Sequence, residues 1–383
     1  TKIVMITMFK NESKSILRML NSCLPYVDYY VMQDNGSTDG TDEIAKDFLL
    51  QNNRSGEIYI CEEGWKGFGW NRDHLIQYCQ NVDHGCDWII KMDCDEILEV
   101  DDDFDWSVFD DTSIQAFHVP AVQGTSIYHR AWMYNAKMPW RFNHDPCHET
   151  VYCDLPEIGS AFQRFDLSPK FRQTGFNTGE SWSDPFKFIK HSLTLEQQMI
   201  SDGTMLTNLY HFWYIGKSYY DARECNSFPL GDSQKKEYAR RAIYYFEEFV
   251  NFFYKDKKEV PIDETCYLSL IFCGDCYQML NNISAAIASY NFSEKFAPGR
   301  NDHIWALTNL YEKIGDYENM VKQTTRMLQP ERTNAFPSYV NFIDTSMYWD
   351  SPTGRVQEVH QKALTKFENT KPKEFSVFNI RKS

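Results

Sequence analysis

The sequence predicts an α/β domain followed by an all-α domain, and three observations carry that expectation. Across the first half, short β-branched or aromatic runs alternate with amphipathic stretches, the pattern of strands and helices built on one sheet. After about Leu193 the strand signal fades and helical patterns continue to about Tyr339. At 383 residues the chain is also too long for one ordinary core, so two compact units are expected. The boundaries fall at residues 1–192 for the α/β domain, 193–345 for the helical domain and 346–383 for a C-terminal extension.

Strands are expected at Ile3 to Thr7, Tyr29 to Asp34, Glu57 to Cys61, Trp88 to Met92 and Ile114 to Val122. The helices expected between them run from Ser13 to Cys23, Thr41 to Leu50 and Trp70 to Asn81. Each is long enough to cross over and return the chain to the same sheet edge, so the sheet is expected to be parallel. Asn35-Gly36-Ser37-Thr38-Asp39 closes the second strand and offers Ser, Thr or Asp as the N-cap of the next helix.

In the helical half, Leu270-x-x-x-Gly274-x-x-Tyr277, Ala286, Tyr290 and Pro298 fit the small-residue and proline positions of the tetratricopeptide pattern. Moving on by that repeat's length of about 34 residues brings Ile304, Leu307, Thr308 and Tyr311 into equivalent places, with Gly315 and Tyr317 in the turn. Phe212-x-x-Ile215-Gly216-x-x-Tyr219 reads as an earlier copy whose second helix is displaced to Arg240 through Phe249. The region is therefore expected to be tetratricopeptide-like, the competing reading being an ordinary helical bundle.

Hydrophobic residues at 42% and aromatics at 16% supply material for packed cores. A net charge of -15 repels phosphate backbones, which argues against nucleic acid as a partner. No apolar run approaches the roughly 20 residues of a membrane span, and no signal peptide is legible ahead of the first strand. The eleven cysteines lack zinc spacing apart from the lone C-x-x-C of Cys273 and Cys276, so they read as reduced core thiols. Two of the five N-x-S sequons, at Asn11 and Asn35, lie where the ligand site is expected, which favours a cytosolic location.

The strongest chemical signal is Trp88-Ile89-Ile90-Lys91-Met92-Asp93-Cys94-Asp95-Glu96, an apolar strand that ends in acids. Close carboxylates repel one another and call for a cation or hydrogen-bond donors. Alternation along an extended chain sends Asp93 and Asp95 to one side, within reach of a single divalent ion. Oxygen ligands favour Mg²⁺ or Mn²⁺. With TMFKNE at Thr7 to Glu12, YVMQDNGSTDGT at Tyr30 to Thr41, Arg72, and His148-Glu149, the chain resembles the family 2 glycosyltransferases of GT-A fold, in particular the branch that ends in tetratricopeptide helices.

The resemblance implies a nucleotide-diphosphate-sugar donor, UDP-linked, and assigns roles residue by residue. Asp34 and Glu12 correspond to nucleoside contacts, with Thr7 beside them, and Arg72 to a residue facing the diphosphate. Asp93 corresponds to a residue against the ribose and metal shell, and Asp95 to the metal ligand. Gln33 and Asp73 depart from the family's usual acid and Asn. The resemblance also places an aromatic, Trp140, and His148-Glu149 on the sugar side. An inverting transfer needs a base for the acceptor proton; Glu149 is the first candidate and Asp145 the second, the bland reading being that both pair with Arg141. His191 is a candidate late metal ligand. The helical repeats are expected to hold a protein or glycan acceptor or to make a homodimer. The rival readings are an interaction protein with an inactive GT-A scaffold, and a nucleotidyltransferase, which would want a glycine-rich basic loop that Met8 to Ser13 lacks.

Overall fold

The computed structural model describes residues 1–111, 113–124, 126–145, 148–176, 178, 184, 186–202, 209–223, 230–255, 263–329, 342–344 and 355–370. Most of the expected C-terminal extension, the last ten residues of the expected helical region, and Pro146 and Cys147 therefore lie outside the described residues. The chain divides into two compact units, one of residues 1–249 with 340–344 and one of 250–339 with 345–383.

The first unit starts with strands β1 (Ile3–Phe9), β2 (Tyr29–Asp34), β3 (Ser55–Ile60) and β4 (Trp88–Lys91), with helices α1 (Ile16–Cys23), α2 (Thr41–Gln51) and α3 (Phe68–Asn81) between them. These four strands are parallel in the order β3-β2-β1-β4. Each is covered on both faces, and alternation sorts its residues into two cores. Ile3, Met5, Tyr30, Met32, Trp88 and Ile90 pack with α1 and α2. Val4, Ile6, Val31 and Ile89 pack with Leu75, Ile76 and Cys79 of α3.

The sheet is wholly parallel only in this half. Beyond β4 come β5 (Glu96–Val100), β6 (Ala116–Gln123), β7 (Ser126–Asn135), β10 (Arg164–Asp166) and β11 (Phe171–Gly175); β7 runs antiparallel to both β4 and β6. Among these antiparallel pairs, β10 and β11 run parallel to β6. The β6 and β7 strands are joined by a tight turn with Gly124 at φ +60°, and such hairpins need no helix to reverse the chain. Strands β8 (Trp140–Phe142) and β9 (Val151–Cys153) form a separate ribbon over α3. β12 (Phe342–Asp344) adds to β7. The cap expected for α2 also differs: Gly40, at φ +82°, holds the cap position, and Asp39 accepts from the Thr41 amide at 3.1 Å.

Helices α4 (Lys187–Asp202), α5 (Leu209–Ala222) and α6 (Asp232–Tyr254) follow, and the unit boundary at Phe249 places nearly all of them with the sheet, whereas the expected boundary at 192/193 falls inside α4. The second unit holds α7 (Glu264–Met279), α8 (Ile283–Ser293), α9 (Asp302–Ile314), α10 (Tyr317–Met327) and α11 (Arg355–Thr370). Side chains of Asp263, Asn282 and Asp316 cap α7, α8 and α10, each accepting an amide of the first turn.

A glycine meeting an aromatic ring marks the helix pairs. A Cβ on Gly274 would stand 2.2 Å from the Tyr290 ring of α8. In the earlier copy Gly216 of α5 holds the same relation to Phe246 of α6, at 2.9 Å. Tyr290 cannot swing aside, because its hydroxyl donates to Asp275 at 2.5 Å and accepts from Gln278 at 2.7 Å. Gly274→Ala is expected to destabilise the chain by about 1–3 kcal/mol, read as a lower urea midpoint.

Candidate active site

The C-terminal ends of β1 and β2 lie level, since Phe9 pairs with Asp34, and β4 ends on the same side three residues short, its Lys91 pairing with Ile6. Loops leaving those ends therefore share one edge, where parallel α/β sheets place ligands. The KNE and NGSTDGT segments lock together there. Asn11, at φ +56°, accepts from the Thr38 amide at 2.8 Å, the Asn11 amide donates to Ser37 Oγ at 3.1 Å, and the Glu12 amide donates to Thr41 Oγ1 at 2.8 Å. Asp34 is buried, and its Oδ1 accepts from the Gly36 and Ser37 amides and from Ser37 Oγ. Its second oxygen makes no hydrogen bond with the described residues. The Glu12 carboxylate is held by Ser15 Oγ. Thr7 is buried with its hydroxyl 3.7 Å from Cys94 Sγ, below the acidic turn.

The chain leaves the extended conformation after Lys91, and the Glu96 amide turns back onto the Asp93 carbonyl at 3.0 Å. The alternation expected to aim Asp93 and Asp95 the same way does not operate inside such a turn. Asp93 instead faces three cations. Its Oδ1 accepts from Arg72 at 3.0 Å and Lys91 at 3.1 Å, while Arg130 binds Glu96 at 2.7 Å. Burial alone raises the Asp93 carboxyl, but Arg72, Lys91 and Arg130 outweigh it and hold it well below the usual carboxylate range. The same burial, with Arg72 beside it, pushes Lys91 down to about 7. Trp132 lines the cluster, with Lys91 Nζ 3.1 Å and the Arg130 guanidinium 3.3 Å from its ring centre.

Arg72 also pairs with Glu149, so one guanidinium bridges the acidic turn and the His-Glu segment. His148 sits at φ +60°, unusual for a residue with a Cβ, and stacks on Tyr214 at 4.1 Å with its ring 5.8 Å from His191. Burial and Lys187 push His191 down to about 4. One helical turn before His191, Lys187 is pushed down to about 8 by burial, against the pull of Asp95 and Asp93. The structure thus brings His148, His191 and Lys187 to the side of the acidic turn.

Two sequence-based expectations are corrected. Trp140 is fully buried, donates to the Asn135 carbonyl at 2.8 Å and packs on Phe162 and Tyr134, so it belongs to the core and has no face for a sugar. Arg141 pairs with neither Glu149 nor Asp145; it grips Asp73 with two bonds of 2.9 and 2.8 Å. Asp73 further accepts from the Phe142 amide at 2.9 Å and lies 3.1 Å from His144 Nε2, so this departure from the family's Asn ties α3 to the ribbon. Asp145 is buried among Asn143, Gln198 and His211, the last at 3.1 Å, while its carbonyl accepts from Gly69 at 2.9 Å. A Cβ on Gly69 would stand 2.2 Å from the Asn143 carbonyl oxygen, so only glycine permits this approach.

The Asp95 carbonyl accepts from the Phe176 amide at 3.0 Å, but its carboxylate makes no hydrogen bond or ion pair with the described residues, and its hard oxygen donors suit Mg²⁺ or Mn²⁺. Asp93, Asp95 and His191 do not form a cluster with ligand atoms within 4.8 Å of one another. Asp93 is already neutralised by Arg72 and Lys91. Asp95 is thus the residue that fits a divalent ion.

Sequence reasoning missed Lys91, Arg130, Trp132 and Lys187. A lysine inside the apolar run of β4 was a legible signal, because an unpaired ammonium does not stay buried. Arg130 and Trp132 depend on the β6-β7 hairpin, which the sequence did not announce.

Residues 4–103 match the family described as Glycosyl transferase family 2. No curated protein matches the chain. Among solved structures, S. aureus TarS (residues 1-349) is 11% identical with a TM-score of 0.37, over 77% of this chain and 92% of that one. MamA is 16% identical with a TM-score of 0.29, over 48% of this chain and 90% of that one. A thermophilic TPR protein of Thermus thermophilus, TTC0263, is 11% identical with a TM-score of 0.29, over 49% of this chain and 82% of that one.

Burial alone raises the Asp73 carboxyl, yet Arg141, His144 and the Phe142 amide more than offset this and leave it below its usual value. A depressed carboxyl stabilises the fold above its unfolded pKa of about 3.9 and loses that contribution as pH falls through the folded value. Asp73→Asn is therefore expected to lower the urea midpoint at neutral pH, with the gap to wild type closing below about pH 4.

Proposed function

We propose, on the premise that this chain is a glycosyltransferase with a family 2 domain at residues 4–103, that it moves a sugar from a UDP-linked donor to a protein or glycan acceptor with inversion and with a divalent ion. The observation that carries this reading is the edge where Asp34 keeps one carboxylate oxygen free, Arg72 lies within the sheet edge's cation cluster, and the Asp95 carboxylate stands without a partner among the described residues. A uracil or ribose donor group suits the free oxygen of Asp34, while Glu12 and Thr7 shape the floor beside it. Arg72 offers fixed charge and forked donors to a diphosphate.

Asp95 would hold Mn²⁺ or Mg²⁺, with His191 on the same side of the cleft. When bound, such an ion stabilises the charge that develops on the leaving diphosphate. Glu149 is the base that accepts the proton of the attacking hydroxyl. The bridge through Arg72 means that the group meeting the diphosphate also touches this base, so donor binding and base orientation are linked. Asp145 is the weaker candidate, because His211, Gln198 and Asn143 already engage its carboxylate. The helical repeats offer a surface for an extended acceptor or for a second copy. Among the described residues, no helix is long and apolar enough to cross a membrane.

Release of UDP from a panel of UDP-sugars in Mn²⁺ tests this reading, water serving as acceptor. Asp95→Ala is expected to remove the metal-stimulated rate by on the order of 100-fold or more. Glu149→Gln is expected to lower kcat by about 10²–10⁴, the loss typical of a missing general base. Absence of turnover with every UDP-sugar, together with no thermal stabilisation by UDP and Mn²⁺, would overturn the UDP-linked reading.

A further inference from the structure

The end of β3 and the second turn of α3 bring together three side chains that sugar transfer does not use. One ligand atom each from Cys61, Glu63 and His74 lies within 4.8 Å of the other two, the one such group of three among the described residues. Cys61 Sγ is 3.7 Å from Glu63 Oε2, and that oxygen is 3.8 Å from His74 Nε2. Zinc bonds of about 2.3 Å to sulfur and about 2.0–2.2 Å to nitrogen or oxygen, at tetrahedral angles, space ligand atoms roughly 3.4–3.6 Å apart. A shift of a few tenths of an ångström in the Glu63 side chain, which is half exposed, brings its oxygen to that spacing from both partners, and the sulfur and the imidazole nitrogen, within 4.8 Å of each other, close the triangle by rotation of their side chains.

The surroundings orient these groups for a metal. His74 Nδ1 stands 3.0 Å from Gln33 Oε1, and a carboxamide oxygen can only accept, so Nδ1 carries the proton and Nε2 presents its lone pair towards Glu63. The Tyr59 hydroxyl gives its own proton to the same oxygen at 2.6 Å, so it does not compete for Nδ1 as a donor. Gln33 is held in that orientation because its Nε2 donates to Asn35 Oδ1 at 2.9 Å. Trp70 stacks on the imidazole at 5.3 Å. Asn71 Nδ2 lies 3.8 Å from the buried Cys61 sulfur, a donor suited to a thiolate.

We propose that Cys61, Glu63 and His74 form a second metal site, for Zn²⁺, with a fourth position open to water. A thiolate and an imidazole select a softer ion than the oxygen donors of Asp95 do, so the two sites take different metals. On binding, the Cys61 S–H bond breaks, its proton passes to solvent and its electron pair forms the S–Zn bond. The ion ties the end of β3 to α3 across the loop 62–67. Because His74 lies two residues beyond Arg72 on that helix, the tie stiffens the segment that carries the arginine.

Co²⁺ reports thiolate ligation through a sulfur-to-metal charge-transfer absorption, so the metal-free full-length chain is titrated with Co²⁺ and then with Zn²⁺. One equivalent is expected to give the band, and Zn²⁺ to abolish it. Cys61→Ser is expected to remove the band, and Glu63→Gln and His74→Gln to weaken binding by about tenfold or more. Glu63 is exposed, so its variant keeps the fold. Asp95→Ala is expected to keep the band, which separates this site from the metal proposed for sugar transfer. A band that survives in Cys61→Ser assigns the thiolate to another cysteine, and a chain that gives no band has no such site; either result overturns the proposal.

Discussion

Three cations and three carboxylates meet between the end of β4 and the hairpin beside it, and the donor cleft is organised around their pairing. Arg72 comes from α3, Lys91 from β4 and Arg130 from β7; Asp93 and Glu96 flank the turn after β4, and Glu149 follows the β8 segment. Taking such groups out of water is costly, and losing one partner of a buried pair leaves an uncompensated charge, a penalty of about 3–5 kcal/mol. The cluster therefore holds four separate pieces of chain in register. Its burial pushes Lys91 down and Glu96 up, while the surrounding positive charge keeps Asp93 ionised.

That arrangement explains the unequal roles of the two aspartates in the acidic turn. Asp93 directs its charge at Arg72 and Lys91, which fixes the turn, and Asp95 remains available to a ligand. A carboxylate already paired is a poor metal ligand, because the ion must first displace its cations. The division of labour follows from which neighbours each side chain meets and not from the residue type.

The second unit answers the same problem of buried charge in another way. Arg300 is almost fully buried yet satisfied by Asp302 at 2.8 Å and Glu264 at 3.3 Å, and the ring of Tyr267 lies 4.9 Å from it. Glu294, held by His303 and Arg326, is kept well below the usual carboxylate range. Each of these networks joins residues distant in sequence, so each helps fix how the helices of the unit pack.

The sequence by itself determined the parallel half of the sheet, its three crossover helices and the glycine positions of the helical repeats. Those features rest on local periodicity, turn chemistry and volume, all of which are written into short windows of residues. The order of acids and basic residues along the chain was equally legible, down to Asp34, Arg72 and Asp95 sharing one sheet edge. Only the tertiary structure decided the mixed half of the sheet, the burial of Trp140, the clamp of Arg141 on Asp73 and the sharing of Arg72 between Asp93 and Glu149. Hairpin pairing and ion-pair choice depend on which distant segments are brought into contact, and a linear pattern carries no record of that.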